Sequence, residues 1–135
     1  MDAQVDLASA TVGQLLIPVT DLRRAIAFYR DTLGLRFLFE APPQMSFFQA
    51  GSVRLLVGVP EPGQFSEHSS MVYFKVDDIH AVHRTLAARG VTFVAAPHLV
   101  HRSGGTELWL AELRDPDGNG LALMSEVRVA EPAGA

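Results

Sequence analysis

The sequence predicts an α+β fold built from two tandem βαβββ modules, whose strands form a curved mixed sheet around a cavity. Three observations predict it. Strand-like runs flank two amphipathic helices, each helix opens on an aspartate and closes on a glycine, and these landmarks recur at a nearly constant interval. Asp78 − Asp21 gives 57, Met71 − Gln14 gives 57 and Gly90 − Gly34 gives 56. A period of that length is the size of one supersecondary unit and indicates duplication of a module. The segment Gly34-Leu35-Arg36-Phe37 is echoed by Gly90-Val91-Thr92-Phe93 in the same register.

Residues 1–12 form a polar, aperiodic N-terminal tail. The first module, 13–59, begins with a strand from Gln14 to Val19, after which Thr20-Asp21 supplies a helix N-cap. Leu22, Ala25, Ile26, Tyr29 and Leu33 recur on one helical stripe, and Gly34 stands where a left-handed cap ends the helix. Strands follow from Phe37 to Glu40, Met45 to Ala50 and Val53 to Val59, the last two joined at Gly51-Ser52. Turn formers fill the linker, 60–70. The second module, 71–128, repeats the order: a strand from Met71 to Val76, then a helix capped by Asp77 or Asp78. Its inner stripe holds Ile79, Val82 and Leu86, with His83 on or beside it, and Gly90 closes it. Strands follow from Val91 to Ala95, Glu107 to Leu113 and Leu121 to Val127, with His98 to Gly105 read as a long Gly-rich loop and Asp115 to Asn119 as a turn. Residues 129–135 are a second tail.

The 135 residues suffice for one domain with its own core. Eleven basic against fifteen acidic residues leave a net charge of −4, and no Arg/Lys stripe is interleaved with aromatics, so nucleic acid is not an expected partner. With no cysteine, thiolate metal sites and cysteine nucleophiles are excluded. The start, Met1-Asp2-Ala3-Gln4-Val5-Asp6, is acidic where a signal peptide is basic, and no apolar run reaches the ~20 residues of a membrane span. The expected location is the cytoplasm, with no membrane partner.

Val19-Thr20-Asp21-Leu22 and Ala27-Phe28-Tyr29-Arg30-Asp31-Thr32-Leu33-Gly34-Leu35 resemble the first-module signature of the vicinal-oxygen-chelate superfamily, which holds glyoxalases, bleomycin-resistance proteins and extradiol dioxygenases. Phe74-Lys75-Val76-Asp77-Asp78-Ile79 and Asp115-Pro116-Asp117-Gly118-Asn119 resemble its second-module opening and final hairpin, so the likeness spans about residues 13–127. The resemblance implies the fold. It leaves the activity open, because one fold hosts many chemistries.

In metal-dependent members, ligands project into the cavity from the first and last strand of each module. The matching positions here are Gln14, Leu55, Met71 and Ala122. One neutral amide beside two hydrocarbons and a thioether is a poor donor set for a divalent ion, so no metal and no other cofactor is expected. His68 falls in the linker. His98 and His101 are read as solvated loop residues, and His80 and His83 as structural residues of the second helix.

Alternation carries Leu16 to the same face as Gln14, Tyr73 with Met71, and Met124 and Glu126 with Ala122. With Phe47 or Phe48 and Trp109 on neighbouring strands, these residues suggest a pocket for a hydrophobic or aromatic small molecule, oriented by Gln14, Tyr73 and Glu126. Three functions are consistent with this: a metal-free binding protein, which is preferred; a metal-dependent lyase, epimerase or dioxygenase; and a metal-free isomerase or tailoring enzyme. The last would draw its general base from Glu126, Glu112, His68 or His98. Whether the protein is an enzyme stays open. A homodimer is expected, since relatives complete or cover their sheets by pairing.

Overall fold

The computed structural model describes residues 6–62 and 70–129. The expected modules are both present. In the first, strand β1 (Gln14–Pro18) leads to helix α1 (Leu22–Ile26), which continues as a π-helical turn over Ala27–Thr32, and then to β2 (Arg36–Ala41), β3 (Met45–Ala50) and β4 (Val53–Gly58). In the second, β5 (Val72–Lys75) leads to α2 (Ile79–Ala88), β6 (Phe93–Ser103), β7 (Thr106–Arg114) and β8 (Gly120–Arg128). The sheets run β1-β4-β3-β2 and β5-β8-β7-β6, so the same strand order occurs twice, with the first and last strand of each module paired in parallel. Each sheet is open, and no strand of one pairs with a strand of the other among the described residues.

The two aspartates cap as expected. Asp21 accepts from the backbone N–H of Arg24 at 3.1 Å and Asp78 from that of Ala81 at 3.0 Å. Gly34 and Gly90 adopt φ of 78° and 92°, the left-handed region where a side chain is strained. The first helix differs from expectation after Ile26. Leu33 N–H donates to the Phe28 carbonyl, five residues back, which widens the turn.

The connection read as a Gly-rich loop is strand instead: β6 runs through Pro97, His98 and His101 to Ser103 and turns at Gly104-Gly105, both with positive φ. The glycines serve a tight hairpin turn, not a loop. Pro97 is tolerated because β6 is an edge strand, and the pairing with β7 slips at three places along it.

One hydrophobic cluster joins the modules. Ile17, Tyr29, Phe48 and Val57 from the first pack with Ile79, Leu86, Leu113 and Leu121 from the second. The helix-covered face of each sheet therefore looks into a shared core, which leaves the other face of each sheet directed outward. Polar contacts cross the same junction. The Tyr29 hydroxyl donates to Asp115 Oδ2 at 2.8 Å, and Asn119 Nδ2 donates to the Pro18 carbonyl at 2.8 Å. Asp115 also accepts from its own turn, at the backbone N–H of Asp117 and of Asn119 and at Asn119 Nδ2. Beside it, Asp117 Oδ1 accepts from the Thr20 N–H at 3.0 Å and from Arg24 Nη2 at 3.1 Å.

Candidate functional site

Residues paired across adjacent strands share a face, so strand register assigns each candidate to the core or to the outward face. In the first sheet the outward rows are Gln14, Arg54, Gln49 and Arg36, and then Leu16, Leu56, Phe47 and Phe39. The second row is apolar from end to end. Phe39 and Phe47 stack with centroids 4.7 Å apart, and the Arg54 guanidinium lies 5.5 Å from the Phe47 centroid while its Nε donates to Gln14 Oε1 at 3.0 Å. Phe39 keeps 46% of its surface exposed, so the row is open to a ligand.

In the second sheet three rows cross the outward face: Tyr73, Ala122, Glu112 and Ala95; Lys75, Met124, Leu110 and His98; and Glu126, Leu108 and His101. The Met71 side chain lies over Gly120 on the same face. Met71 and Tyr73 are exposed and Ala122 is fully buried in the sheet. Lys75 Nζ stands 3.7 Å from Glu126 Oε1. A cavity of about 320 Å³ is lined by His101, Ser103, Thr106, Leu108, Met124 and Glu126.

Gln14, Leu16 and Phe47 thus share the outward face of one sheet, and Met71, Tyr73, Ala122, Met124 and Glu126 that of the other. Two proposed lining residues point the other way. Leu55 pairs with Leu15 and Phe48, is 1% exposed and belongs to the core, so the outward position on β4 is Leu56. Leu55 and Leu56 differ by one position, and a one-residue slip along a strand exchanges faces. Trp109 pairs with Leu99 and Ser125, packs on the core, meets the His80 ring edge-on at 5.2 Å and donates from Nε1 to Glu107 at 3.2 Å. That same Glu107 is held below the ordinary carboxylate range, chiefly by its hydrogen bond from Arg102 and next by the Trp109 indole. This cluster lies away from the outward rows.

Of the acid–base candidates, Glu112, Glu126 and His98 all lie in the outward rows, and His68 lies outside the described residues. His98 Nδ1 is 2.8 Å from the Ala96 carbonyl. His83 meets Phe93 at 4.4 Å and is structural. His101, Leu108, Leu110, Phe39 and Arg54 were missed, though each keeps step with a candidate across the sheet, and register was the signal that could have found them.

A metal at the family position does not fit these residues. Gln14 gives one amide oxygen already engaged by Arg54, and Leu56, Met71 and Ala122 offer no oxygen or imidazole donor. Among the described residues no three His, Asp or Glu side chains group closely enough to hold an ion elsewhere. No helix among them is long and apolar enough to cross a membrane.

The family model described as the Glyoxalase/Bleomycin resistance protein/Dioxygenase superfamily matches residues 11–123. Similar solved structures include TnmS3, an antibiotic binding protein from Streptomyces sp. CB03234, with 23% identity, TM-score 0.72, and 90% of this chain and 100% of that chain covered. A lactoylglutathione lyase from Agrobacterium tumefaciens is 24% identical with TM-score 0.69 over 86% of this chain and 93% of that one. A member of the same superfamily from Sphaerobacter thermophilus is 26% identical with TM-score 0.68 over 86% and 97%. No curated protein matches the chain.

Proposed function

Because the chain belongs to the glyoxalase/bleomycin resistance protein/dioxygenase superfamily, we propose that it binds a small hydrophobic or aromatic molecule on its outward sheet faces without the metal of its metal-dependent relatives. One observation carries this reading: the positions that would hold the metal are Gln14, Leu56, Met71 and Ala122, while the row beside Gln14 is the apolar Leu16, Leu56, Phe47 and Phe39. Stacking on Phe39 and Phe47 suits a planar ring, Gln14 and Arg54 supply polar groups beside it, and Tyr73 supplies one on the face of the second sheet. The antibiotic binding protein among the similar structures is in keeping with a binding role.

The binding surface is completed by a second copy in this proposal. Each sheet is open, the first with exposed Phe39 on its outward face and the second with exposed Met71 and Tyr73 on its own, so closure of a cavity around a ligand needs another sheet. The cysteine-free chain suits a reducing cytoplasm. A metal-free acid–base reaction is the second reading, favoured by Tyr73 and Glu112 flanking Ala122 in one row.

Elemental analysis of the dialysed protein is expected to find no stoichiometric divalent ion, and Ni²⁺, Zn²⁺, Mn²⁺ or Fe²⁺ is expected to leave the Tm unchanged. One ion per chain, released by Gln14→Ala, would overturn the metal-free reading. A panel of planar aromatic compounds is expected to raise the Tm, and Phe39→Ala to abolish that rise.

A further inference from the structure

The cavity at the hairpin end of the second sheet has a chemistry of its own. It lies off the family's metal position: Glu126 is four residues beyond Ala122, about 13 Å along an extended strand. Its floor is Leu108 and Met124, its hairpin side carries the hydroxyls of Ser103 and Thr106, and Glu126 and His101 stand on either side of Leu108 in one row. With strands ~4.8 Å apart, the backbones bearing the carboxylate and the imidazole are about 10 Å apart, a span that one or two fused rings fill. The volume of about 320 Å³ fits a ligand of that size.

Building on the aromatic-binding reading above, we propose that this cavity selects planar aromatic molecules bearing hydroxyl or amino donors on their edges, and rejects aromatic carboxylates. The reason is the inventory of polar groups. An ionised carboxylate only accepts hydrogen bonds, so the ligand edge at Glu126 must donate; the hydroxyls of Ser103 and Thr106 and the imidazole of His101 both donate and accept, and so tolerate a hydroxyl or an amine. A ligand carboxylate at the Glu126 edge meets like charge, and the Glu126 carboxylate has no proton to give it. Lys75 does not cancel this. Its side chain is 66% exposed and its ammonium 3.7 Å from Glu126 Oε1, and an exposed pair of that kind is weak.

The test titrates the full chain with a naphthalenediol and with a naphthalene dicarboxylate, by calorimetry and by methionine-methyl NMR. The diol is expected to shift the Met124 methyl and to bind at least about tenfold tighter than the dicarboxylate, the scale of one hydrogen bond to a charged group. Glu126 is half exposed, so Glu126→Gln is expected to keep the Tm while narrowing the preference to about threefold. Equal binding of both compounds, with Met124 shifted, would overturn the selectivity and leave the aromatic-binding reading standing. Diol binding that shifts Met45 on the first sheet and leaves Met124 unmoved, or that is indifferent to both Glu126→Gln and His101→Ala, would overturn the location. If neither compound binds, the aromatic-binding reading falls as well.

Discussion

Tyr29 and Asp115 stand 86 positions apart and meet in one buried hydrogen bond of 2.8 Å. Both belong to the motifs that resemble the family, so the two signatures are halves of a single contact. Asp115 is satisfied by four donors, and removal of one leaves part of a buried carboxylate uncompensated. Tyr29→Phe is therefore expected to cost about 1–2 kcal/mol, read as a shift of the denaturant midpoint. The phenol also makes stability depend on pH. Its pKa is raised far above the ordinary 10.0, first by burial and then by the charge and hydrogen bond of Asp115. A group whose folded pKa is raised gives its full contribution below its unfolded pKa. As pH climbs past about 10 the unfolded phenol ionises and the folded one does not, so the contribution is lost. The wild type is expected to lose Tm steeply above pH 10 and Tyr29→Phe to lose less; parallel alkaline slopes would contradict this assignment.

The elements divide into those with a local signature and those without. Both helices open on aspartates that cap them and close on glycines at positive φ, and these local interactions are written in short motifs. Asp78→Ala is expected to lower stability by about 1 kcal/mol and Asp78→Asn to recover most of it, measured by thermal melts, since both side chains accept from the backbone and alanine does not. The π-helical turn over Ala27–Thr32, which carries the buried Tyr29, has no such signature in the sequence. β6 is not legible in the sequence because Pro97, His98 and the two glycines that follow it have a loop-like composition, while its pairing with β7 is a tertiary fact. The faces of Leu55 and Trp109 followed from register. For Trp109 the parity of its own strand held the answer, since Trp109, Ala111 and Leu113 all pack on the core. The cavity at the hairpin end was legible in part: Met124 and Glu126 follow from strand parity, whereas His101 and Leu108 join them only once three strands are in register.

For the whole molecule, the tandem order and the repeat of strand topology were legible because duplication prints the same landmarks twice. The sheets are not closed within one chain, and each shows an aromatic or methionine-bearing outward face. Pairing across a two-fold axis buries identical patches on both copies and is the commonest way to cover such a surface. Light scattering at micromolar concentration is expected to report twice the 14.6 kDa chain mass. A mass of one chain would contradict a site completed by a second copy.

The Tyr29 to Asp115 bond also has a direction. Adding the repeat interval, 29 + 57 = 86, places Leu86 where the second module would need a hydroxyl, and that leucine is 4% exposed in the core. The first module joins β3 to β4 through Gly51-Ser52, with no counterpart of the Asp115 turn. Donor and acceptor have therefore been allotted to different halves, and the repeats have ceased to be interchangeable parts. A tandem protein carrying the first module twice has two phenols and no carboxylate; one carrying the second module twice has two carboxylates facing leucine. The second is expected to fold less stably, since each buried carboxylate keeps the three donors of its own turn but loses the phenol, and an under-satisfied buried charge costs more than a lost neutral hydrogen bond. Divergence after duplication has thus fixed which half donates and which accepts.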